Sequence, residues 1–249
     1  MKSKSEIRQA VWEKLRKVAL PDPIFDYDFS SFIPDFQGSE KCVESITGLD
    51  SWKRSGLVFI TPDNSLIKLR EKAIRAGKRF VMTTYGIRRG FLLIDSNTIP
   101  KDQAALASIL YGAETFGKKV ALEELRALGT IDLVITGAAA VTKSGIRFGK
   151  GHGYFDIEWG IFTALNLVDA NSKVITVVHD CQVTDEDFKP SSFDTITDYI
   201  VTPTQTISVK SKYQKPSGID SGSLTKDLVD AIPLLRELAR LQNQGGVAP

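Results

Sequence analysis

Residues 56–65, Gly56-Leu57-Val58-Phe59-Ile60-Thr61-Pro62-Asp63-Asn64-Ser65, contain the pattern that decides the fold of this 249-residue chain. A short apolar run is followed by turn-forming residues and then by an amphipathic segment at 66–76, which Gly77 ends. A buried strand that leads into a helix has this pattern. Similar runs recur along the chain: further strands are predicted at 78–84, 90–95, 131–136, 174–178 and 199–201, and further helices at 40–46, 101–113, 119–128 and 154–167.

Short apolar strands that alternate with helices indicate a mostly parallel sheet covered by helices on both faces. We therefore predict a three-layer, Rossmann-like α/β fold, with the strand at 90–95 near or at an edge. Ser3 and Glu6 have the spacing of a capping box, which predicts an N-terminal helix. We interpret 1–249 as a single domain with a helix-and-loop extension at 1–50, a mobile loop at 203–223, a C-terminal helix at 224–243 that Pro233 kinks, and a frayed tail at 245–249.

The composition excludes several classes of protein. Hydrophobic residues make up 42% and charged residues 25%, as is usual for a soluble globular chain. The net charge of +2 is too small to favour nucleic acid or an anionic membrane as a partner, and no apolar run approaches the ~20 residues of a membrane helix. Two cysteines and two histidines exclude a disulfide framework and a histidine-rich metal site. We expect a cytoplasmic protein, monomeric or a small homo-oligomer, that acts on a small molecule.

A glycine loop follows the strand predicted at 131–136. Residues 145–156 read Gly-Ile-Arg-Phe-Gly-Lys-Gly-His-Gly-Tyr-Phe-Asp, so that Gly149, Gly151 and Gly153 alternate with Lys150 and His152. Backbone N–H groups in such a loop can contact a phosphate, and the start of the next helix adds its positive end. A flexible turn is the alternative, because the spacing matches neither the dinucleotide-binding nor the Walker pattern.

Several polar residues near this loop have both a functional and a structural interpretation. Asp156 is either a Mg²⁺ ligand or a carboxylate that favours the helix start. His152 either donates to a phosphate or acts as an acid, or it is an exposed loop histidine that merely titrates. Lys4 and Arg8 share one helix face and are either solvated or directed to a phosphate. Ligands of parallel sheets bind beyond the carboxyl ends of the strands, so other candidates follow the later strands: His179, Cys181, Gln182 and Thr202. Asp194 and Asp198, four positions apart, either form turns or provide a second site for Mg²⁺ or nucleotide. A nucleophilic pair of Cys181 and His179 is not expected, since no orienting partner is evident.

Taken together, these pieces resemble the 5-formyltetrahydrofolate cyclo-ligase (methenyltetrahydrofolate synthetase) family. That family opens with Lys-x-x-Leu-Arg, which is similar to residues 4–8, and its signature Arg-Leu-Gly-x-Gly-x-Gly-Tyr-Tyr-Asp-Arg is similar to residues 147–157. Gln182 and the segment from Asp194 to Thr202 also match, so the resemblance covers residues 4–203. Residues 33–40 and 89–95 resemble a divergent, cyclo-ligase-like branch, which includes the methenyltetrahydrofolate synthetase domain-containing protein.

The resemblance implies a sheet of the sugar-isomerase and CoA-transferase type and a reaction that uses ATP and Mg²⁺ to convert 5-formyltetrahydrofolate to 5,10-methenyltetrahydrofolate. It implies catalytic roles for Arg147, Lys150 and Tyr154, and Asp156 as the metal ligand. The nucleotide-binding residues that it implies are Lys4, Arg8, Gly149, Lys150, Gly151, His152, Gly153, Tyr154 and Thr202.

The chain also departs from the family pattern. The family's Glu-x-Asp-Thr, whose Glu contacts the pterin, is replaced by Pro62-Asp63-Asn64-Ser65. Its Pro after the next strand is replaced around Thr83, its Phe-Asp before the glycine loop around 141–142, and its last Arg by Ile157. The nucleotide half therefore matches better than the folate half. Two alternatives remain: a protein of the same fold that binds ATP or a phosphometabolite and acts on another substrate, and a non-catalytic interaction protein.

Overall fold

Eleven strands form among residues 3–186, 188–219, 222 and 224–244, the part of the chain that this computed structural model describes. In chain order they are β1 (Val58–Ile60), β2 (Phe80–Thr83), β3 (Phe91–Ile94), β4 (Lys118–Val120), β5 (Leu133–Gly137), β6 (Ala140–Thr142), β7 (Arg147–Phe148), β8 (Lys173–Val177), β9 (Val183–Thr184), β10 (Tyr199–Val201) and β11 (Thr206–Ser208). The helices are α1 (Lys4–Leu15), α2 (Ser39–Gly48), α3 (Asp50–Arg54), α4 (Ile67–Arg75), α5 (Ala104–Ser108), α6 (Leu110–Phe116), α7 (Leu122–Ala127), α8 (Tyr154–Ala164), α9 (Lys226–Ala231) and α10 (Pro233–Gln244).

Eight of these strands form one sheet in the order β11-β10-β8-β5-β1-β2-β3-β4. The five central strands from β10 to β2 are parallel. At one edge β3 is antiparallel to β2 and β4 is antiparallel to β3, and at the other edge β11 is antiparallel to β10. This confirms the predicted, mostly parallel sheet and places β3 next to the edge strand. The chain leaves β1 first toward β2 and later returns on its other side as β5, so the order reverses between β1 and β5.

Helices cover both faces of the sheet, as the predicted three-layer fold requires. Because side chains alternate along a strand, Val58 and Ile60 pack with residues of α2 and α4 on one face. Phe59 packs on the other face, where its ring centroid lies 4.8 Å from that of Phe162 in α8 and 6.3 Å from that of Phe91. These strands are buried on both sides, which explains why they read as continuous apolar runs.

Two predicted helices are wrong in part. The segment predicted as one helix at 101–113 breaks at Ile109, which is extended, because the carbonyl of Ser108 accepts a hydrogen bond from the buried Arg70 (Nε–O 2.6 Å) and does not bond within a helix. The segment predicted as a helix at 119–128 begins as the edge strand β4, and its helix starts only at Leu122.

The capping box predicted at the start of the chain forms between Ser3 and Glu6 in α1. In place of one helix at 224–243 with a kink at Pro233, two helices form, because α9 ends at Ala231, Ile232 is not helical and α10 begins at Pro233. The loop predicted at 203–223 contains β11, and the tail predicted at 245–249 lies outside the described residues. Within the described part of the chain, no helix has the length and apolar character needed to cross a membrane.

A second, three-stranded sheet was not predicted, and it positions the glycine loop. Its order is β7-β6-β9, with β6 antiparallel to β7 and parallel to β9. Gln182 supports the connection between β5 and β6, because its buried Nε2 donates to the carbonyls of Ala138 (2.7 Å) and Ala139 (3.2 Å). β7 then leads directly into the glycine loop and α8.

Candidate active site

A cavity of about 670 Å³ opens at the carboxyl ends of β1, β2 and β5. This position is the point where the strand order reverses, which is where ligands bind in open α/β sheets. Its volume lies within the usual range for small-molecule sites. Part of the N-terminal extension, at 22–25 and 32–33, also lines the cavity.

The glycine loop forms one wall of the cavity and ends at the N-terminus of α8. Gly151 (φ +116°) and Gly153 (φ +68°) have left-handed backbone angles that favour glycine. Gly153 is the N-cap of α8, so the unpaired N–H groups of the first helical turn lie beside the loop. The loop therefore has the features of an anion-binding helix start.

Four cationic side chains from distant parts of the chain line the same cavity. They are Lys4, Arg8, Arg147 and Lys150. Lys4 forms an ion pair with Asp194 (Nζ–Oδ2 2.6 Å), and Lys150 donates to the carbonyl of Ser31 (3.0 Å). Burial lowers the pKa of Lys150, which means that its charge is held away from water.

Arg8 differs from the other three cations. Among the described residues it has no hydrogen-bond or ion-pair partner, although burial lowers the pKa of its guanidinium. It faces the glycine loop so closely that a Cβ on Gly151 would lie 3.7 Å from its Nη2. A half-buried, unpaired guanidinium beside exposed backbone N–H groups is a site for an anion.

His152 and Tyr154 stack on each other beside these cations, with ring centroids 5.2 Å apart and planes 4° apart. The pKa of His152 is lowered from 6.5 first by burial and then by the charges of Lys150 and Arg8. The imidazole is therefore neutral at neutral pH, and its pKa reflects the positive potential around the loop. A neutral imidazole beside a polyphosphate can donate one hydrogen bond.

Asp156 and Arg147 meet at the start of α8. Asp156 Oδ1 accepts from the backbone N–H of Thr195 (2.9 Å) and lies 3.4 Å from Arg147 Nη2. Arg147 is 7% exposed, and its guanidinium lies 4.1 Å from the centroid of the Phe155 ring. Its Nε is buried without a hydrogen-bond partner in the described residues. Both charged groups are thus fixed in place at the cavity wall.

The carboxylates here fit a magnesium ion that is bound together with phosphates. No group of three or more histidine, cysteine or acidic residues is placed to hold a metal among the described residues. Mg²⁺ is usually held by one or two carboxylates, substrate phosphates and water, so Asp156 suffices in such a site.

Other candidates lie outside the cavity and have structural roles. Thr202 donates to Asp180 (2.6 Å), so the structure separates it from the predicted nucleotide-binding residues. Asp198 accepts from the backbone N–H of Val174 (2.7 Å), which ties the connection before β10 to β8. His179 Nδ1 accepts from the backbone N–H of Cys181 (3.2 Å) as a cap, and burial raises the pKa of the Cys181 thiol.

The sequence did not point to Glu158, which lines the cavity one turn after Tyr154 in α8. Glu158 is 3% exposed, and the hydroxyl of Thr83 at the end of β2 donates to its Oε1 (2.6 Å). Burial raises its pKa to about 8, so the carboxyl is mainly protonated at neutral pH. The signal in the sequence is this single charged residue between Ile157 and Trp159, inside an apolar helix.

The sequence profile of the 5-formyltetrahydrofolate cyclo-ligase family matches residues 1–203. The chain belongs to this family. Methenyltetrahydrofolate synthase domain-containing proteins are similar over 98% of the chain, the human one at 32% identity and the bovine (Bos taurus) one at 30%. The chain spans 63% of the length of the human protein and 64% of the bovine one.

Solved structures of the family have the same fold. The 5,10-methenyltetrahydrofolate synthetase of Aquifex aeolicus superimposes with a TM-score of 0.54 at 18% identity, over 85% of this chain and 95% of that one. The α/β architecture with its central sheet and flanking helices is therefore that of the cyclo-ligase family.

The structure shows what Asp63 does in the segment after β1, where the chain departs from the family pattern. Its Oδ2 accepts from the hydroxyl of Thr61 (2.5 Å) and from the backbone N–H of Gly137 (2.9 Å). Asp63 thus joins the ends of β1 and β5 at the floor of the cavity, and a Cβ on Gly137 would approach it to 3.1 Å. In this member of the cyclo-ligase family, the acidic residue of the segment at 62–65 accepts hydrogen bonds from the ends of two neighbouring strands.

Proposed function

We propose that this protein is an ATP- and Mg²⁺-dependent ligase that converts 5-formyltetrahydrofolate to 5,10-methenyltetrahydrofolate. The observation that carries the proposal is the unpaired Arg8 beside the glycine loop, together with the cations that line the same cavity. The family is one of cyclo-ligases, and the human relative's name refers to methenyltetrahydrofolate synthase, which agrees with the proposal.

The reaction demands little covalent chemistry from the protein. The formyl oxygen of the folate attacks the γ-phosphorus of ATP, and ADP leaves. N10 then attacks the activated formyl carbon, N10 loses its proton, and inorganic phosphate leaves with the former formyl oxygen. Phosphoryl transfer of this kind depends on positioning and on neutralisation of charge.

The residues of the cavity meet these two needs. Arg8 and Lys150 bind phosphate oxygens, and the backbone N–H groups at 149–153 bind them without an intervening side chain. Arg147, which is fixed by Asp156 and Phe155, stabilises the charge that develops on the transferred phosphoryl group. Tyr154 lines the site beside His152, and Asp156 is the carboxylate available to Mg²⁺, which would neutralise charge on the phosphates when bound.

The test is to supply purified protein with Mg-ATP and 5-formyltetrahydrofolate and to record the absorbance of the methenyl product. We expect product from the native protein and at least a tenfold loss of ATP affinity in Arg8→Ala, because a charge-assisted contact is removed. The matched control is Arg54→Ala, an exposed arginine at the end of α3 that does not line the cavity. Absence of product would refute the proposal.

Asp63 favours a second candidate function, a ligase of the same type with a different substrate. The family's pterin-contacting Glu is absent at 62–65, and the carboxylate that is present is engaged by Thr61 and Gly137. ATP turnover across a panel of formyl-folates and small carboxylic acids distinguishes the two candidates. Absence of nucleotide binding in calorimetry would instead favour a non-catalytic interaction protein. Either ligase would act on small molecules in the cytoplasm.

A further inference from the structure

Residues 22–33 of the N-terminal extension, which we call the strap, are attached to the segment that follows β1. The side-chain amide of Asn64 donates to the carboxylate of Asp22 (Nδ2–Oδ2 2.7 Å) at one end of the strap. The backbone N–H of Asn64 donates to the carbonyl of Ile33 (3.0 Å) at the other end. Both ends of the strap are therefore bound to the same residue.

The middle of the strap contacts the glycine loop and the segment after β2. The carbonyl of Ser31 accepts from the hydroxyl of Tyr85 (2.8 Å) and from Nζ of Lys150 (3.0 Å). The rings of Phe25 and Tyr85 stack with centroids 6.1 Å apart and planes 22° apart, and Lys150 Nζ lies 5.3 Å from the centroid of the Tyr85 ring. The strap thus connects Asn64 with the lysine of the glycine loop.

Hydrogen bonds within the strap fix the place of the Ser31 carbonyl. Asp22 Oδ1 accepts from the backbone N–H groups of Ile24 (2.8 Å) and Phe25 (2.9 Å). Asp28 accepts twice from Ser31, through its carboxylate from the hydroxyl (2.7 Å) and through its carbonyl from the backbone N–H (3.0 Å). Because these turns join its two halves, a shift at Asp22 is transmitted to Ser31.

The contact with Ser31 prepares Lys150 for an anion. Among the described residues, the carbonyl of Ser31 is the one hydrogen-bond acceptor of Lys150. An ammonium group has three donors, so donors remain for an anion while the strap is attached. A lysine that is free in solvent loses up to about 2 kcal/mol of rotamer entropy when it is immobilised. The strap immobilises Lys150 before the anion arrives, which removes this cost from binding.

We propose that the strap is a positioning element for Lys150, and that polyphosphate binding at the glycine loop and attachment of the strap reinforce each other. This inference rests on the proposed function, in that it uses the same phosphate-binding lysine. Ser31 and Asn64 act through Lys150 and need no contact with the polyphosphate. Coupling between two equilibria is reciprocal, so the factor by which the strap raises the affinity is also the factor by which polyphosphate stabilises the attached strap.

Calorimetry with inorganic tripolyphosphate, without Mg²⁺ or folate, tests the effect of the strap on affinity. Asn64→Ala removes the contact with Asp22 and leaves every cation of the cavity in place. We expect it to weaken tripolyphosphate binding about fivefold or more, the lower end of usual coupling factors. The matched control is Asn97→Ala, an exposed asparagine in the turn after β3 that does not line the cavity, which should bind as the native protein does.

A double-mutant cycle separates positioning of Lys150 from other roles of Asn64. In the Lys150→Ala background, Asn64→Ala should change tripolyphosphate affinity by less than about twofold, because the group on which the strap acts is gone. An effect of Asn64→Ala that is equal in the two backgrounds would mean that Asn64 binds the anion itself or only shapes the cavity. That result would overturn the inference.

Cleavage by chymotrypsin measures the reciprocal effect on the native protein. The enzyme cleaves after aromatic residues, and the strap contains four of them: Phe25, Tyr27, Phe29 and Phe32. Saturating tripolyphosphate should slow cleavage within the strap about fivefold or more, because cleavage follows the population of the detached strap. Lys150→Ala should be cleaved faster than the native protein without the anion and should lose this protection. The masses of the fragments identify the cleaved bonds.

The outcomes distinguish this inference from the proposed function. Protection of the strap and coupling through Lys150, without methenyl product from formyl-folate, would refute the proposed reaction and leave the inference standing. Methenyl product from a protein whose strap tripolyphosphate does not protect, or whose Asn64→Ala variant binds tripolyphosphate with native affinity, would overturn the inference and leave the reaction standing. Absence of tripolyphosphate binding would also overturn the inference.

Discussion

Substitution of Glu158 by Gln should change how the stability of the protein depends on pH. Burial raises the pKa of this carboxyl from 4.5 to about 8. Between these two values the folded state holds a proton that the unfolded state has lost. The free energy of unfolding therefore falls as the pH rises from about 5 to about 8, and it levels off above that pH. A glutamine does not titrate, so the variant lacks this part of the decline.

The size of the effect follows from the pKa difference. One pKa unit corresponds to about 1.4 kcal/mol, so the interval from 4.5 to about 8 corresponds to at most roughly 4–5 kcal/mol. We expect the stability of Glu158→Gln relative to the native protein to increase by a few kcal/mol between about pH 5 and about pH 8.5. At about pH 5 the two proteins should be similar, because the amide can accept the hydrogen bond from Thr83.

Urea denaturation at a series of pH values measures this difference, with the midpoint and slope fitted at each pH. Glu123→Gln is the matched control, because it removes an exposed carboxyl and should leave the pH profile parallel to that of the native protein. Parallel profiles for Glu158→Gln as well would refute the reasoning, since they would mean that Glu158 ionises normally in the folded state.

Two further substitutions separate scaffold from site. Arg70→Met should lower the free energy of unfolding by about 2–4 kcal/mol in urea denaturation, because it leaves the buried carbonyls of Thr61 and Ser108 without their donor. The control Arg54→Met changes an exposed arginine and should alter the free energy of unfolding by less than about 0.5 kcal/mol. Equal effects of the two substitutions would contradict the structural role of Arg70. Lys150→Ala should weaken ATP binding by ~1–3 kcal/mol in calorimetry with little change in melting temperature, whereas unchanged affinity would count against the glycine loop as a phosphate site.

The central sheet was predictable because its strands are buried on both faces. Each of them is a short apolar run that ends at a turn, so the local sequence is sufficient to identify it as a strand. The strands of the second sheet, which the sequence did not reveal, are only two or three residues long, such as β7 at Arg147–Phe148, so they carry no periodic pattern. In addition, β6 pairs with β9, which lies about 40 positions later in the chain. The break at Ile109 depends on Arg70, which lies 39 positions earlier in the chain. No local pattern contains that information.

The candidate site also contains residues that could be predicted from the sequence and residues that could not. The glycine loop and its cations form a motif with a recognisable spacing, and the structure brings Lys4 and Arg8 to that loop from the first helix. Glu158 has no such spacing, and its importance comes from burial against Thr83, which only the packed structure provides. Thr202 is the opposite case. Its local sequence matches the family pattern, but the structure places it beside Asp180 and away from the cavity.

Helix α8 carries two parts of the candidate site. Its N-terminus forms the end of the glycine loop, and Glu158 follows one turn after Tyr154, so a rotation or shift of this helix would displace both together. Residues 216–219 oppose such a shift. Trp159 Nε1 donates to the carbonyl of Pro216 (2.8 Å), and a Cβ on Gly160 would lie 2.5 Å from Ile219 Cγ1. Part of the segment predicted as a mobile loop thus packs against α8 and helps to position the helix that carries both the end of the glycine loop and Glu158.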